Sequence, residues 1–281
     1  MGERRNHMEI QLWHEILAPY ELAVIEVTEK FKYIIKERRV RGLYSPIEDV
    51  SGRVKSVTSI LEKIQKKQIP FDEMEERVDD IAGVRIICQF VEDIETVAEM
   101  IKKRSDIMVK SEKDYITKTK DSGYRSYHMI VYYVVETLDG PKKIQMEIQV
   151  RTMAMNFWAT VEHSLQYKYK SHIPEHVKER LSNAAEAIIA LDNEMASVRS
   201  EIIDAQNYST LQMNLVSDIL NNIENLFRLT NKREAMKIQD EFYRVFATND
   251  IEQLRHFHKQ LDVIAEGNRA QSTVNENVKD F

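Results

Sequence analysis

Apolar residues recur at three- and four-residue spacing over most of this chain, and its middle third adds the two-residue alternation of strands. The first stretch, residues 8–39, carries apolar side chains such as Leu12, Ile16 and Phe31 at helical spacing. Pro19 suits the first turn of a helix, so we predict that a second helix begins there. The segment RGLYSPIEDVSGR, residues 41–53, then predicts the first clear loop.

The middle of the chain alternates between helix and strand patterns. A helix is predicted over about 54–67, and DIAGVRIICQF (80–90) predicts a buried strand rich in β-branched residues. VEDIETVAEMIKKR (91–104) has acids in its first turn and bases in its last, which favours a helix. Further strands are predicted at 107–111 and 127–137. In IQMEIQVR (144–151) apolar and polar residues alternate strictly, which predicts a strand with one apolar and one polar face.

The last part of the chain returns to helical spacing. A helix is predicted after Arg151, and Pro174 begins another that runs to about residue 206. Beyond NYST (207–210), two or three amphipathic helices are predicted. One apolar stripe contains Leu211, Leu215, Ile219, Ile223 and Leu226. The pattern predicts an α+β fold over residues 1–206, with an additional helical segment over 207–281.

Composition and charge narrow the class of protein. The 281 residues are 43% hydrophobic, enough for a real core, and carry a net charge of -6. Binding of nucleic acid or anionic membrane through bulk charge is therefore not expected, and RNA would need a local basic patch. Cys88 is the single cysteine, which excludes an internal disulfide and a zinc cluster built from thiolates. With no apolar signal segment and no run of 18 apolar residues, a cytoplasmic location is predicted.

The first candidate for chemistry is the basic segment GRVKSVTSILEK. Lys55, Ser59 and Lys63 lie at positions i, i+4 and i+8 of the predicted helix, and Arg53 lies just before it. Two ammonium groups and a hydroxyl on one helix face could bind a polyphosphate. A solvated basic face is the alternative interpretation.

Carboxylates form the second candidate. Asp79 and Asp80 immediately precede a predicted buried strand, and Mg²⁺ often binds one or two carboxylates in such a position. Capping of a turn is the alternative for this pair. Glu147 is the one acid on the polar face of its strand, where it could simply be exposed to solvent. Taken together with Arg85, which could stack on a base, these residues indicate metal-assisted phosphoryl-type transfer.

The loop KDSGYRSYH, residues 120–128, is the third candidate. Gly123 permits a tight turn, and Tyr124 offers a stacking face. Lys120, Arg125 and His128 offer charge to phosphates. This mixture suits a nucleotide, while a β-turn with a tyrosine packed on the sheet is the alternative.

The order and the residues of five motifs resemble those of the synthetase domain of the RelA/SpoT homologue family, and most closely those of its stand-alone small alarmone synthetases. The resemblance runs from about residue 12 to 206 through GRVKSVTSILEKIQ, DDIAGVRIICQF, SGYRSYH, EIQVRT and AMNFWATVEHSLQYKY. It implies a nucleotidyltransferase-like mixed β-sheet flanked by long helices. It also implies transfer of the β,γ-pyrophosphate of ATP to the ribose 3′-hydroxyl of GDP or GTP, releasing AMP and forming (p)ppGpp in the stringent response.

The same resemblance implies a role for each matching residue. Asp80 and Glu147 would hold Mg²⁺, and Glu147 would also act as base toward the 3′-hydroxyl. The implied ATP contacts are Arg53, Lys55, Ser59, Lys63 and Arg85, with the two arginines on either side of the adenine. The implied GDP or GTP contacts are Lys120, Tyr124, Arg125, His128, Gln149 and Asn156.

The family also sets expectations about what this chain lacks and how it assembles. No His is followed by Asp, so the alarmone hydrolase activity of the bifunctional members is not expected. Some small synthetases form tetramers that bind alarmone in a central cleft. Lys32 fits that pattern, but Thr28, Ile35 and Asp49 do not, so self-activation is not expected here. A homo-oligomer is expected, of which a homotetramer is one known form. Residues 207–281 carry no recognised motif and are expected to form a helical hairpin or an oligomer contact.

Two other functions stay open at this point. One is a non-catalytic module that binds nucleotides or single-stranded RNA through the clustered arginines, lysines and tyrosines. The acids at Asp80 and Glu147 argue against it, because without a metal they would repel a phosphate backbone. The other is a nucleotidyltransferase that acts on RNA ends or on a small alcohol, which would leave the SGYRSYH loop without a base to stack on.

Overall fold

The structure is a computed structural model that describes residues 2–118, 122–168, 174–229 and 232–277. The chain divides into two compact units, Met1–Ser197 and Val198–Phe281. This division falls within one helix and upstream of the 206/207 boundary that the sequence predicts. The division into a synthetase domain over 1–206 and a helical extension over 207–281 stays a prediction. Among the described residues, no helix is both long and apolar enough to cross a membrane.

The first unit contains a five-stranded sheet and the helices around it. Its strands are β1 (Asp49–Val54), β2 (Ala82–Cys88), β3 (Ile107–Asp114), β4 (Tyr127–Thr137) and β5 (Gly140–Thr152). Its helices are α1 (Gly2–Val40), α2 (Val57–Lys67), α3 (Met74–Arg77), α4 (Val91–Lys102), α5 (Met153–Lys168) and the first part of α6 (Glu175–Leu229). A short 3-10 turn, Phe71–Glu73, precedes α3.

The sheet is mixed, as the family resemblance implies. Its strand order is β1-β2-β5-β4-β3. β2 and β5 pair in parallel, and the other neighbours are antiparallel. The central parallel pair is therefore joined by a long crossover, which carries α4 and two further strands.

The core lies on the apolar face of β5. Ile144, Met146, Ile148 and Val150 are fully buried there, as their alternation predicts. They belong to one cluster with Tyr20, Val27 and Phe31 of α1 and with Ile94, Val97 and Ile101 of α4. Cys88, at the end of β2, is also buried in this cluster, and burial raises the pKa of its thiol. The opposite face of β5 is left to polar side chains.

The first helix runs through Pro19 without a break, so the predicted start of a second helix there is wrong. A proline inside a helix removes a backbone hydrogen bond and costs about 3 kcal/mol. Leu17 and Tyr20, on either side of it, are buried in the core, as are Ala23 and Val27 one and two turns further on. Burying each large apolar side chain contributes roughly 1.5–3 kcal/mol, which outweighs the cost of the proline.

A strand lies where the sequence indicates a loop. β1 comes from the segment predicted as irregular, and the helix predicted from residue 54 begins at Val57 instead. Ser56 caps that helix by accepting a hydrogen bond from the backbone N–H of Ser59 at 3.3 Å. Only Val50 of β1 is buried, so no alternation marks this strand. It forms because its backbone pairs along the edge of β2.

The second unit is a three-helix assembly. It contains the later part of α6, α7 (Lys232–Ala247) and α8 (Ile251–Asn277). Its core comprises Ile219, Ile223, Leu226, Phe242, Leu254, Phe257, Leu261 and Ala265. The predicted end of a helix near residue 206 is wrong, because NYST contains no glycine or proline and α6 continues through it. The predicted stripe is buried from Ile219 onward, whereas Leu211 is 53% exposed.

Replacing Gly52 by alanine should destabilise the contact between β1 and α1. A Cβ at this position would lie 2.5 Å from Cγ1 of Val24 and 2.7 Å from Oγ1 of Thr28. Overpacking of this kind costs about 1–3 kcal/mol, and the free energy of unfolding measured with denaturant should fall by that amount. Gly83→Ala is the matched control, because its Cβ would have its nearest neighbour at 3.9 Å. Equal stability of the two variants would contradict the tight contact at Gly52.

Candidate active site

A cleft opens on the polar face of the sheet, above the central strands. In the parallel pair, Gly83 lies opposite Glu147 and Arg85 lies opposite Gln149. On its other side Gly83 pairs with Arg53 of β1. Because residue 83 has no side chain, space is left between Arg53 and Glu147, and all five residues line the cleft. A glycine inside a strand often marks the place where a ligand approaches the backbone.

Asp80 lines the same cleft, two residues before β2 begins. Its carboxylate oxygens accept hydrogen bonds from Nζ of Lys63 at 2.6 Å and from Nζ of Lys55 at 2.7 Å. Burial alone would raise the pKa of Asp80, but the two ammonium groups outweigh it and hold the pKa below its ordinary value. Lys63 of α2 and Lys55, which lies two residues before that helix, are therefore held beside the cleft, and together they carry one more positive charge than the carboxylate neutralises.

Glu147 is held at both of its carboxylate oxygens. Nδ1 of His128 lies 2.7 Å from Oε1, and Nε2 of Gln149 donates to Oε2 at 2.7 Å. Burial alone would raise the pKa of Glu147, but the hydrogen bonds from His128 and Gln149 hold it below its ordinary value. The negative charge of Asp80 acts in the opposite direction on this pKa, so the two carboxylates are close enough to interact.

Arg53 and Arg85 line the cleft, and Arg151 lies close enough to act electrostatically on Arg85. Burial lowers the pKa of Arg85, and the positive charges of Arg151 and Arg53 lower it further. Nε of Arg85 is buried without a hydrogen-bond partner among the described residues. Guanidinium groups this close repel one another, and an anion bound between them would relieve that repulsion.

Arg151 contacts the site but was not among the residues predicted from the sequence. It is 4% exposed. Its Nε donates to the hydroxyl of Ser126 at 3.1 Å, and its Nη2 donates to the hydroxyl of Tyr124 at 2.5 Å and to Oε1 of Gln149 at 2.6 Å. The alternation of β5 contained the signal, because Arg151 follows Glu147 and Gln149 on the same polar face.

The loop before β4 forms a tight turn and places Tyr124 beside His128. Gly123 has φ +82°, and a Cβ there would lie 2.4 Å from Cβ of Ala185 on α6. Only glycine fits both restrictions. The hydroxyl of Tyr124 lies 2.8 Å from Nε2 of His128, and the rings of Tyr115 and His128 pack edge-on against its ring. Burial raises the pKa of Tyr124, which keeps the hydroxyl protonated.

The remaining predicted contacts are not all brought to the cleft. Arg125 donates from Nη2 to the carbonyl of Ile116 at 2.8 Å and lines a separate small cavity beside Trp158. Asn156, on α5, has a buried Oδ1 without a partner among the described residues. The hydroxyl of Ser59 accepts from that of Ser56 at 2.9 Å. Lys120 lies outside the described residues. Their nucleotide contacts stay predictions.

The two carboxylates fit a magnesium ion better than a zinc ion. Among the described side chains, no group of three or more His, Cys, Asp or Glu is arranged to hold a metal. A catalytic zinc needs three protein ligands, whereas Mg²⁺ takes one or two carboxylates and completes its shell with water and phosphate oxygens. Asp80 and Glu147 on one cleft provide that smaller set.

Comparisons with known proteins give a consistent result. The family model described as a region found in RelA / SpoT proteins matches residues 52–172. Over 199 residues the chain is 51% identical to GTP pyrophosphokinase YjbM of Bacillus subtilis (strain 168), covering 71% of this chain and 94% of that protein. A crystal structure of small alarmone synthetase 1 from B. subtilis bound to its product pppGpp matches with a TM-score of 0.66 at 52% identity, covering 68% of this chain and 98% of that one. A structure of the B. subtilis synthetase 1 bound to AMPCPP matches with a TM-score of 0.61 at 47% identity, covering 69% and 99%.

These matches include the part of the chain that holds the cleft. Residues 52–172 contain Arg53, Asp80, Arg85, Glu147 and Arg151. Identity of 51% over 94% of a relative is too extensive for a shared fold alone. The chain therefore belongs to the RelA/SpoT homologue family, among its small alarmone synthetases.

Proposed function

We propose that this chain is a (p)ppGpp synthetase, which transfers the β,γ-pyrophosphate of ATP to the ribose 3′-hydroxyl of GDP or GTP and releases AMP. The observation that carries the proposal is the convergence of Asp80 and Glu147 on one cleft between basic residues. The relatives support it, since YjbM is a GTP pyrophosphokinase and the matched structure of synthetase 1 is bound to pppGpp.

The donor side of the cleft suits ATP. Arg53 and Arg85 lie on neighbouring strands, where two planar guanidinium groups can stack on the faces of an adenine. Lys55 and Lys63 already bind one anion, Asp80, and their ammonium groups can also bind the phosphates of ATP. Ser59 lies on α2, one turn before Lys63. Fixed cations offset the repulsion between donor and acceptor phosphates without reorganisation.

The acceptor side provides the base. Glu147 is ionised at neutral pH because His128 and Gln149 hydrogen-bond its carboxylate, so it is ready to accept the proton of the 3′-hydroxyl as the oxygen attacks the β-phosphorus. Tyr124 would stack on the guanine, and the other proposed acceptor contacts are Lys120, Arg125, His128, Gln149 and Asn156. The transferred group then lies between base and leaving AMP.

A divalent ion is part of the proposal. Asp80 and Glu147 would hold Mg²⁺, and the ion would supply positive charge to the pyrophosphoryl oxygens when bound. We also propose the cytoplasm as the location and a homo-oligomer as the assembly.

Product analysis tests this function directly. Purified protein incubated with Mg²⁺, labelled ATP and GDP should release AMP and form a guanosine tetraphosphate. Release of pyrophosphate would instead indicate nucleotidyl transfer, and intact nucleotides with tight, salt-sensitive RNA binding would indicate the non-catalytic module. Either of these results from folded protein would refute the proposal.

A further inference from the structure

Five side chains on the polar face of the sheet form a closed ring of hydrogen bonds. Nη2 of Arg151 lies 2.5 Å from the Tyr124 hydroxyl, and that hydroxyl lies 2.8 Å from Nε2 of His128. On the other side of the imidazole, Nδ1 lies 2.7 Å from Oε1 of Glu147. The ring returns from Oε2 of Glu147 through Gln149, with bonds of 2.7 Å and 2.6 Å. Both oxygens of one carboxylate are thereby linked to one guanidinium.

The direction of these bonds follows from what each group can donate. Arginine has no acceptor, so it donates both to the Tyr124 hydroxyl and to Oε1 of Gln149. The Glu147 carboxylate can only accept, so Nδ1–H of His128 donates to it, and in the neutral ring Nε2 then accepts from the Tyr124 hydroxyl. Two branches therefore start at Arg151, and both end as donors on the Glu147 carboxylate.

Burying the guanidinium of Arg151 costs free energy, which indicates that this residue has a functional role. Its guanidinium is almost fully buried, and its three hydrogen bonds go to the neutral groups of Ser126, Tyr124 and Gln149. Among the described residues no carboxylate contacts this guanidinium, and burial of a charge without a contacting counter-ion is unfavourable. The nearby positive charge of Arg53 adds to the cost. The negative charge of Glu147 is electrostatically favourable for this buried guanidinium.

We propose that Arg151 is a positioning residue, which fixes the orientation of the Glu147 carboxylate and the tautomer of His128 through these two branches. The inference rests on the proposed function, in which Glu147 is the base. A carboxylate held at both oxygens keeps its remaining lone pairs directed into the cleft, where the 3′-hydroxyl must approach. Without Arg151 the Tyr124 hydroxyl and the Gln149 amide can rotate, and Glu147 loses its fixed direction.

Arg151→Met is the first test. We expect kcat to fall by about 10–100-fold, the usual loss when a supporting hydrogen-bond partner is removed, while KM for ATP and GDP changes less than about threefold. Arg104→Met is the matched control, since Arg104 pairs with Asp106 at 2.6 Å outside the cleft, and its kcat should stay near wild type. Arg151→Lys keeps the charge but not the two-directional fork, so it should restore only part of the rate. Full activity of folded Arg151→Met, or full rescue by lysine, would overturn the inference.

Tyr124→Phe provides a second test that keeps the buried guanidinium of Arg151 in place and removes one of its hydrogen bonds. It keeps the ring for stacking but removes the hydroxyl that joins Arg151 to His128, so kcat should fall while KM for GDP is unchanged. In the wild-type protein, the ¹⁵N chemical shifts of the His128 ring should report the Nδ1–H tautomer. In Tyr124→Phe and Arg151→Met, the same shifts should report a mixture of tautomers. An unchanged tautomer in both variants would overturn the inference. The tautomer can be measured without catalytic turnover. The test therefore distinguishes failure of this inference from failure of the proposed function, in which the wild-type protein would make no alarmone.

Discussion

Glu147→Gln should lower kcat for alarmone synthesis by about 10²–10⁴-fold, the usual contribution of a general base. The substitution keeps the volume of the side chain and removes its ability to accept the proton of the 3′-hydroxyl. It also places an amide next to Nδ1 of His128 and Nε2 of Gln149. In the wild-type protein, each of these nitrogens donates to the carboxylate at 2.7 Å. Single-turnover formation of AMP, with both nucleotides saturating, measures the chemical step without interference from binding.

Glu136→Gln is the control for this prediction. Glu136 lies exposed on β4, so the same change of charge should leave kcat near wild type. A loss of less than about tenfold in Glu147→Gln would be too small for a general base and would remove that role from Glu147. Retained folding of both variants is checked by thermal unfolding.

Asp80→Asn should lower the rate by at least about 100-fold. The change removes the anion that fixes Lys55 and Lys63 at 2.7 Å and 2.6 Å, and it removes one of the two carboxylates that fit the metal ion. Stabilisation by a bound metal is typically several kcal/mol, and each 1.4 kcal/mol or so is tenfold in rate. Measuring the rate over a range of Mg²⁺ concentrations should show a higher requirement for the ion in the variant.

Asp79→Asn is the neighbouring control. The Asp79 carboxylate accepts from Nε2 of Gln145 at 2.9 Å and lies 3.7 Å from Nζ of Lys110, whereas Lys55 and Lys63 bind Asp80 instead. Its loss should change the rate only a few-fold. If Asp79→Asn were as damaging as Asp80→Asn, the assignment of Asp80 to the phosphates and the metal would be wrong.

The sequence predicted those parts of the fold in which periodicity was strong. β4 has the predicted bounds of 127–137, and the alternation of β5 assigned each apolar side chain to the buried face. β1 was missed because an exposed edge strand leaves no alternation, and its existence depends on the partner strand. The helix through Pro19 was missed because the packing that compensates for the proline is not visible in local sequence.

Five of the predicted residues line the cleft, namely Arg53, Asp80, Arg85, Glu147 and Gln149, but the contacts among the site residues could not be predicted. The motifs brought Asp80, Glu147, Lys55 and Lys63 together as candidates, since these are the residue types that phosphoryl transfer needs. The bonds from Lys55 and Lys63 to Asp80 depend on how α2 packs beside β2, which no spacing reveals. The same holds for Arg151, whose importance follows from the register that sets β4 beside β5.

The buried thiol at the end of β2 has a practical consequence. Cys88 is enclosed by the core, and its raised pKa leaves almost no thiolate at neutral pH, so maleimides and similar reagents should react with it very slowly. Because the chain has no other cysteine, one introduced on the surface would be the only readily labelled position. Fluorophores or spin labels could then be attached at a chosen site to follow nucleotide-driven motion without first removing a native cysteine.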